Sequence, residues 1–238
     1  MLIAGFPAGS WAANCYVVAT GPGTECVVVD PGQDSAPGIA EIVREHRLKP
    51  IAVLLTHGHL DHMWSVTPVA GTYDATAWIH PADRHLLADP LAGISRETAA
   101  MLLGGRHEFV EPDDVAELAD GQVLELAGLR VVVDHTPGHT QGSVTFRTPY
   151  RRDEISEVMF SGDVLFAGSI GRTDLPGGDH ATMLSTLRDK VLTLPDDVAV
   201  LPGHGEQTSI GRERATNPFL LELTGSAGEQ PGRVTRGL

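Results

Sequence analysis

Side chains that bind transition metals are concentrated in one short segment, Thr56–His62, which holds three histidines and an aspartate. Residues two apart do not share one face of a helix, so His57 and His59 must converge from an extended or tightly turned segment. Asp61 and His62 then point in a different direction from that pair. Because buried imidazoles without a metal would repel one another on protonation, this density favours metal binding. The segment can serve two adjacent metal positions, which a single-zinc helical motif cannot do.

Three further candidate ligands each follow a glycine, which lets the backbone turn sharply and approach a metal. They are His139 after Gly138, Asp163 after Gly162 and His204 after Gly203. Together with the first segment they make five histidines and two aspartates. This set is enough for two metals with about three protein ligands each, one shared carboxylate and open positions for water.

The ligand assignment predicted from these segments has two sets and a bridge. The first metal is bound by His57, His59 and His139, the second by Asp61, His62 and His204, and Asp163 bridges the two. Nitrogen and oxygen donors without thiolate suit zinc, and equally iron(II) or manganese. We therefore expect two divalent metal ions as cofactors, with zinc the first expectation.

The remaining candidates have weaker signals. His46 is expected on a solvated helix face, and His135 could support His139 from outside the ligand set. Asp30 ends an apolar run, where it either orients a ligand histidine through its other ring nitrogen or caps a turn. Four histidines lack a partner motif and are expected outside the site: His80, His85, His107 and His180. Cys15 and Cys26 lack CxxC spacing and are expected to be reduced, buried thiols.

Apolar runs of strand length precede the candidate ligands, which places these side chains at carboxyl ends of strands, where α/β sheets locate their sites. The predicted strands are Asn14–Thr20, Glu25–Asp30, Ile51–Leu55, Ala77–Ile79, Val123–Leu126, Leu129–Val133, Ser143–Arg147, Val158–Phe160 and Val198–Leu201. The predicted helices are Ala36–Leu48, Pro81–Ala88, Arg96–Leu103 and Asp179–Leu192. Two similar β-then-α halves predict an α/β fold in which two sheets pack face to face with helices outside. Residues 90–118 are weakly patterned and could form a flap beside the site.

Composition limits the classes of partner. The 238 residues are 42% hydrophobic and carry a formal charge of −14, which argues against nucleic acid as a partner. No apolar run reaches the roughly 18 residues of a membrane span, and the N-terminus lacks a basic signal region, so a cytoplasmic protein is expected. One domain is expected over residues 1–223, with residues 224–238 a flexible tail. The sequence leaves the oligomeric state open.

The pattern THxHxDH, PGHT, SGD and PGH, in this order, resembles the metallo-β-lactamase superfamily from residue 14 to about residue 220. The resemblance implies an αββα sandwich of two mixed sheets with a dinuclear metal site between them. Within this superfamily, Phe160–Phe166, Gly168–Asp174 and Leu201–Gly205 look like segments of the hydroxyacylglutathione hydrolases, or glyoxalase II. Those enzymes hydrolyse thioesters of glutathione, chiefly S-lactoylglutathione.

Two departures from glyoxalase II leave the thiol carrier open. Glyoxalase II proper adds a C-terminal helical region that holds glutathione, and the sequence after Asn217–Phe219 has no counterpart. The family also has a tyrosine in the segment that is Gly205–Thr208 here. Arg172 matches a basic contact to the thiol cofactor, and a surface arginine is its plain alternative. The resemblance is therefore to short, single-domain proteins like glyoxalase II, and a small S-acyl thiol is the expected substrate.

The mechanism implied is attack of a metal-bound hydroxide on the thioester carbonyl, with Asp61 orienting the hydroxide as well as binding metal. A thiol with a pKa near roughly 8.5 leaves as thiolate without protonation. Phe166 stands where lactone-cleaving relatives have a tyrosine, which favours a thioester over a lactone. The main alternative is a mononuclear iron persulfide dioxygenase of the same superfamily, which shares the segment Gly171–Asp174. Its last histidine lies in a PAHD-like loop, whereas this chain has Pro202–Gly205.

Overall fold

Side chains alternate between two apolar environments along the central strands. The structure is a computed structural model that describes residues 1–95, 97–99, 109–152 and 154–225. In the strand Ala13–Ala19, Cys15 and Val17 face one buried cluster while Tyr16 and Val18 face another. Both faces of the strand are thus covered, as expected for a sheet inside a layered fold.

Fourteen strands lie in the described part of the chain. They are β1 (Leu2–Ala8), β2 (Ala13–Ala19), β3 (Glu25–Val29), β4 (Lys49–Leu54), β5 (Thr76–Ile79), β6 (Val115–Glu117), β7 (Val123–Leu126), β8 (Leu129–His135), β9 (Val144–Arg152), β10 (Ile155–Gly162), β11 (Leu165–Phe166), β12 (Ser169–Ile170), β13 (Val198–Pro202) and β14 (Thr208–Ser209). The α-helices with defined bounds are α1 (Ala36–His46), α2 (Leu60–Met63), α3 (Val66–Tyr73), α4 (His180–Thr186), α5 (Ile210–Thr216) and α6 (Pro218–Leu223). Short 3-10 helices cover Arg84–Leu87 and Pro90–Gly93, and a π-helical segment covers Leu187–Val191.

Two mixed six-stranded sheets form the centre of the molecule. The first has the order β1-β2-β3-β4-β5-β6, and the second has the order β14-β13-β10-β9-β8-β7. Strands β3 to β6 run parallel to one another, whereas β1, β2 and β3 pair antiparallel. In the second sheet only β10 and β13 are parallel neighbours. A separate hairpin, β11-β12, follows the end of β10.

Three buried clusters account for the layers. The cluster between the sheets contains Val29 and Leu54 from the first sheet and Phe146 and Phe160 from the second. A second cluster packs the outer face of the first sheet against α1 and α3, and a third packs the outer face of the second sheet against α4, α5 and α6. The predicted αββα sandwich with helices outside is confirmed. Within the described residues, no helix has the length and apolar content that crossing a membrane requires.

Most predicted strands are present with ends shifted by a few residues, whereas one predicted helix is wrong. The segment Pro81–Ala88 holds only the 3-10 helix Arg84–Leu87, because Leu86 N–H bonds to Asp83 C=O three residues back. Helix α1 ends at His46, and not at Leu48, because Arg47 adopts a left-handed conformation with φ of 54°.

The predicted helix Asp179–Leu192 changes type along its length. Asp179 is its N-cap and accepts a hydrogen bond of 2.7 Å from the Thr182 N–H. After Thr186 the chain widens into the π-helical segment, where Leu192 N–H bonds to Leu187 C=O. Buried side chains recur there every four residues, at Met183, Leu187 and Val191, and the wider turn keeps all three in the core.

Other expectations concern the termini, the middle segment and the thiols. Cys15 and Cys26 are buried and unbridged, as predicted. Burial raises the pKa of the Cys26 thiol to about 12. Most of the predicted helix Arg96–Leu103 and most of the predicted tail lie outside the described residues.

Candidate metal centre

The predicted ligands meet at one edge of the sandwich, between the two sheets. The segment after β4 brings His57 and His59, and α2 brings Asp61 and His62. The second sheet contributes its three ligands from the loops after β8, β10 and β13. Three groups of donor atoms each lie within 4.8 Å of one another: His57, His59 and His139; His57, His62 and Asp163; and Asp61, His62 and His204. The structure therefore brings together all seven residues that the sequence singled out.

The first group consists of three buried histidines. His59 Nδ1 lies 2.8 Å from His139 Nε2. The ring of His57 lies 4.9 Å from that of His59 and 4.8 Å from that of His139, centroid to centroid, with interplanar angles of 84° and 80°. One donor nitrogen of each ring lies within 4.8 Å of the other two, as the nitrogens of three imidazole ligands of one cation must.

The second donor group is the set predicted for the second metal, Asp61, His62 and His204, and it mixes imidazole with carboxylate. His204 Nε2 lies 3.2 Å from His62 Nε2 and 3.1 Å from Asp61 Oδ2. Asp163 lies between the two groups, with Oδ1 at 3.4 Å from His62 Nε2 and Oδ2 at 3.5 Å from His139 Nε2. Asp163 Oδ2 also lies 3.7 Å from His204 Nε2, so this carboxylate approaches donors of both groups, as a bridge must.

A buried chain of hydrogen bonds holds two of the rings from behind. His57 Nδ1 lies 3.0 Å from the Thr56 hydroxyl, which donates a hydrogen bond of 2.7 Å to Asp30 Oδ2. The same Asp30 oxygen lies 3.0 Å from His62 Nδ1, and Asp30 Oδ1 accepts from Thr56 N–H at 2.8 Å. Asp30 thus orients a ligand histidine, the first of its two predicted roles. With protons on both Nδ1 atoms, each Nε2 lone pair faces the centre.

The third imidazole is oriented by a backbone carbonyl. His139 Nδ1 donates a hydrogen bond of 2.7 Å to the carbonyl oxygen of Arg172, which leaves His139 Nε2 for the centre. The described buried atoms without a hydrogen-bond partner include three in this cluster, His57 Nε2, His59 Nε2 and Asp163 Oδ1. Buried polar atoms are rarely left without partners, so these atoms and the fixed tautomers fit cations at this position. The cluster is able to bind metal.

Burial keeps two imidazoles of the first group, His57 and His59, neutral. It lowers the pKa of His57 well below its usual range, and the nearby imidazoles of His62 and His139 act in the same direction. It also lowers the pKa of His59, to about 3, with a further contribution from His139. Neutral imidazole is the form that binds a metal.

The second group has the opposite electrostatics. Burial alone would lower the pKa of His62, but the carboxylates of Asp163 and Asp61 and the hydrogen bond to Asp30 raise it to about 10. Burial likewise opposes charge on His204, yet its hydrogen bond to Asp61 and the charge of Asp163 raise its pKa. Although burial would raise the pKa of Asp61, His62 and His204 hold it below its usual range.

Glycine is required where backbone passes directly over the ligands. A Cβ on Gly203 would overlap Asp163 Oδ1 and lie 2.7 Å from His62 Cε1. A Cβ on Gly171 would overlap the Asp163 carbonyl oxygen and lie 3.2 Å from His139 Nδ1. These contacts place the ligand loops at van der Waals distance from one another.

A cavity of about 520 Å³ opens over the cluster. Its floor includes donors of both groups, and its walls include the apolar side chains of Trp11, Ile94, Phe166 and Leu175. Arg172 also lines it, but its side chain is 61% exposed and its guanidinium donates two hydrogen bonds to Asp174, of 2.7 and 2.8 Å. Arg172 therefore has the exposed ion pair of a surface arginine and also borders the cavity, while its contact to a thiol cofactor stays a prediction.

The other histidines occupy different surroundings. His80 and His135 stack on each other with ring centroids 4.0 Å apart, and His135 Nε2 bonds to the Gln141 carbonyl oxygen. His135 is therefore absent from the donor groups of the described residues. His85 lines a smaller cavity of about 240 Å³, and His180 Nδ1 lies 3.3 Å from the Thr173 hydroxyl. His107 lies outside the described residues.

Sequence reasoning missed residues that act on the ligands from outside. The Thr56 hydroxyl and the Arg172 carbonyl give no recognisable signal, because their role depends on backbone geometry. Asp83, a buried carboxylate beside two ligand loops, does have a weak signal in the sequence. It follows Ile79, the last residue of β5, and acids at the carboxyl end of a strand are candidates for a site in α/β sheets.

Comparison with known proteins gives consistent matches over most of the chain. Residues 8–204 match the model of the metallo-beta-lactamase superfamily. Hydroxyacylglutathione hydrolase GloC of Haemophilus influenzae is 33% identical over 220 residues, covering 90% of this chain and 95% of that protein. The crystal structure of the BLEG-1 B3 metallo-beta-lactamase is 38% identical with a TM-score of 0.78, covering 92% of this chain and 99% of that one. The structure of TTHA1623 in a di-iron-bound form is 36% identical with a TM-score of 0.70, covering 90% and 98%.

Proposed function

The chain belongs to the metallo-beta-lactamase superfamily, and we propose that it is a metal-dependent hydrolase that cleaves the thioester of a small S-acyl thiol. The observation that supports this most is the pair of donor groups with Asp163 between them, beneath an apolar-walled cavity. The similarity to a hydroxyacylglutathione hydrolase supports the thioester as the bond cleaved.

In this proposal the two donor groups hold two divalent ions. The ligands are those of the predicted assignment, with His57, His59 and His139 for one ion, Asp61, His62 and His204 for the other, and Asp163 between them. When bound, such ions lower the pKa of a coordinated water and polarise a carbonyl oxygen. Zinc is the first expectation, and the di-iron form of TTHA1623 makes iron a specific alternative.

Asp61 is the side chain proposed to orient the attacking water. It lines the cavity, and its side chain keeps 25% of its surface exposed, against 10% for Asp163. Because His62 and His204 hold its pKa below the usual range, its carboxylate stays ionised and accepts a hydrogen bond from water. An acceptor placed there directs a water lone pair at the carbonyl carbon of a substrate in the cavity.

Phe166, in the wall of the cavity, favours a leaving group that needs no proton. The Phe166 ring lies 6.2 Å from the His204 ring, edge to face, and lines the cavity where a phenol would donate a proton. A thiol of pKa near roughly 8.5 leaves as thiolate, whereas the nitrogen of an opened lactam or an alkoxide needs protonation or strong metal support. This chemistry favours a thioester.

Arg172 is proposed to contact the thiol carrier. Arg172 lines the cavity, and its ion pair with Asp174 is exposed, so the guanidinium can exchange one carboxylate partner for another at little cost. If the carrier bears a carboxylate, R172Q raises KM for that substrate with little change in kcat. An equal KM for the variant and the parent would remove Arg172 from the binding site.

The persulfide dioxygenase alternative is a one-iron enzyme, and the complete second group argues against it. His204 lies within hydrogen-bonding distance of both Asp61 and His62, an arrangement that one ion in the first group would leave without use. A metal count separates these functions: about two ions per chain for the hydrolase and one iron for the dioxygenase.

The deciding experiment pairs metal analysis with a substrate panel. The panel contains S-lactoylglutathione, an uncharged S-lactoyl thiol, a chromogenic β-lactam, and glutathione persulfide under oxygen. We expect thiol release from at least one thioester, and its loss in D163A and H204A. Oxygen consumption on the persulfide with one iron per chain would overturn the proposal. Faster cleavage of the β-lactam than of either thioester would also overturn the proposal. The β-lactam belongs in the panel because the chain is similar to the BLEG-1 metallo-beta-lactamase.

A further inference from the structure

Asp83 is a buried carboxylate that lies between two of the ligand loops without belonging to either. It is 2% exposed and follows β5, just before the 3-10 helix Arg84–Leu87. It is not a member of the donor groups formed by the described residues. A buried carboxylate is costly unless hydrogen bonds satisfy it, so its contacts indicate what keeps it there.

Three hydrogen bonds satisfy Asp83, and all come from ligand loops. Asp83 Oδ2 accepts from the Gly58 N–H at 2.9 Å and from the Thr140 hydroxyl at 2.6 Å. Asp83 Oδ1 accepts from the Gly142 N–H at 2.7 Å. Gly58 separates the two histidines of the segment after β4, and Thr140 directly follows His139. One carboxylate therefore fixes the backbone on both sides of the first group.

The loops are packed directly on this carboxylate. A Cβ on Gly142 would lie 2.5 Å from Asp83 Cγ, and a Cβ on Gly58 would lie 3.0 Å from the Asp83 carbonyl oxygen. The Thr140 hydroxyl also lies 2.7 Å from the Ser143 hydroxyl, which continues the network into the start of β9. The two loops come from different sheets, so their relative position depends on contacts of this kind.

We infer that Asp83 is a positioning residue that sets the spacing of the three imidazoles of the first donor group. It acts through the backbone of Gly58 and through Thr140, and touches no metal. Asp30 acts on the second group through His62 Nδ1, at 3.0 Å. Asp30 also reaches the first group, through the Thr56 hydroxyl to His57, so Asp83 is a second buried carboxylate behind the first group. The inference rests on the proposed ligand assignment and is independent of which substrate is cleaved.

The test isolates each donor group in its own background. H204A retains the three imidazoles of the first group, and H139A retains the second group. Zinc affinity is measured in each background by competition with a chromophoric chelator, with and without D83N. The asparagine keeps the shape of the side chain but turns one oxygen into an N–H donor, which opposes at least one backbone N–H of the loops.

We expect D83N to raise the zinc dissociation constant about 10- to 100-fold in the H204A background, the usual effect of losing support outside the ligands. In the H139A background the change stays within about twofold of the parent, within the additivity expected of independent sites. A dissociation constant that stays within about twofold of the parent in the H204A background would overturn the inference. If H204A alone binds no zinc, the ligand assignment fails instead, and the two failures are distinct.

Glu213 provides a matched control for general destabilisation. It is also a fully buried carboxylate with three hydrogen bonds, from Gly168 N–H, the Thr208 hydroxyl and the Asn217 amide. E213Q is expected to lower the melting temperature of the metal-free protein without changing zinc affinity in the H204A background. If E213Q and D83N weaken zinc binding equally, Asp83 is only structural.

Thr140 keeps the inference testable if D83N does not fold. T140V removes the hydroxyl that donates to Asp83, whereas T140S keeps it. We expect weaker zinc binding by the first group in T140V and recovery in T140S. Equal affinities in the two variants would contradict a role for this carboxylate in positioning the group.

Discussion

The zinc affinity of the second donor group, Asp61, His62 and His204, is expected to depend steeply on pH. The zinc affinity of the first group, His57, His59 and His139, is expected to depend on pH much less. His62 has its pKa raised to about 10, because the nearby carboxylates and the hydrogen bond to Asp30 outweigh burial. At neutral pH this imidazole carries a proton that a metal must displace. In the first group, burial lowers the pKa of His57 and brings that of His59 to about 3, so neither holds a proton to release.

The size of the effect follows from the distance between pH and pKa. With the His62 pKa at about 10, removing its proton at pH 7 costs about 4 kcal/mol, which weakens binding roughly 1000-fold relative to the unprotonated group. The sign is that of a raised pKa: the proton is bound below pH 10, so affinity rises as pH rises. We expect about a tenfold gain per pH unit between roughly pH 6 and pH 9.

The assay uses H139A, which retains the second group, and H204A, which retains the first. Zinc affinity is measured against a chelator of known proton affinity, and proton release is measured by calorimetry in two buffers of different ionisation enthalpy. H139A is expected to release at least one proton per zinc, and its affinity follows pH. A pH-independent affinity in H139A would refute the electrostatic reasoning, as would a steeper dependence in H204A than in H139A.

Three further outcomes are expected. D163A is expected to lower turnover by more than the roughly 10- to 100-fold typical of removing a residue that only supports a ligand, because Asp163 lies between both donor groups. Steady-state rates at saturating zinc measure this. Near-parental turnover would contradict a bridging role. G203A lowers the metal content measured by elemental analysis from two towards one per chain, because its Cβ would overlap Asp163 Oδ1, and an unchanged content would show that the loop can move. The free energy of unfolding is expected to fall at acid pH because of His80, which stacks on His135. Burial and the nearby His135 lower the pKa of His80, so folding favours its neutral form. Stability is therefore lost as pH falls below about 6.5, where His80 of the unfolded chain takes up a proton. H80Q should flatten the acid side of a plot of melting temperature against pH, and a curve that keeps the parent's slope would assign the loss to other groups.

The sequence predicted which side chains meet at the candidate site, because their signal is local. The segment from His57 to His62 is dense in donor side chains, and glycines mark the turns at His139, Asp163 and His204. Alternating or continuous apolar runs marked the strands that precede them. These are short-range patterns, and they depend little on the rest of the fold.

The support of the site could not be predicted in the same way. Asp83 lies 57 positions from Thr140 in the sequence, and its role exists only because the two loops meet in space. The sequence predicted two alternative roles for Asp30, orienting a ligand histidine or capping a turn. The 3.0 Å contact to His62 Nδ1 in the structure supports the first role. Strand β1 gave no clear signal because it contains Gly5 and Pro7, which are typical of an edge strand and not of a central one.

Each donor group takes side chains from both sheets, and this gives a bound cation a second effect. An ion held by His59 and His139, or by His62 and His204, fastens the two halves of the molecule at their open rim. Any ligand that binds only the folded form adds to its stability by mass action, roughly 2.7 kcal/mol when its free concentration is a hundred times its dissociation constant. We therefore expect the thermal resistance and proteolytic lifetime of this chain to follow the supply of metal, with opening beginning at the edge of the sandwich that carries the donor groups.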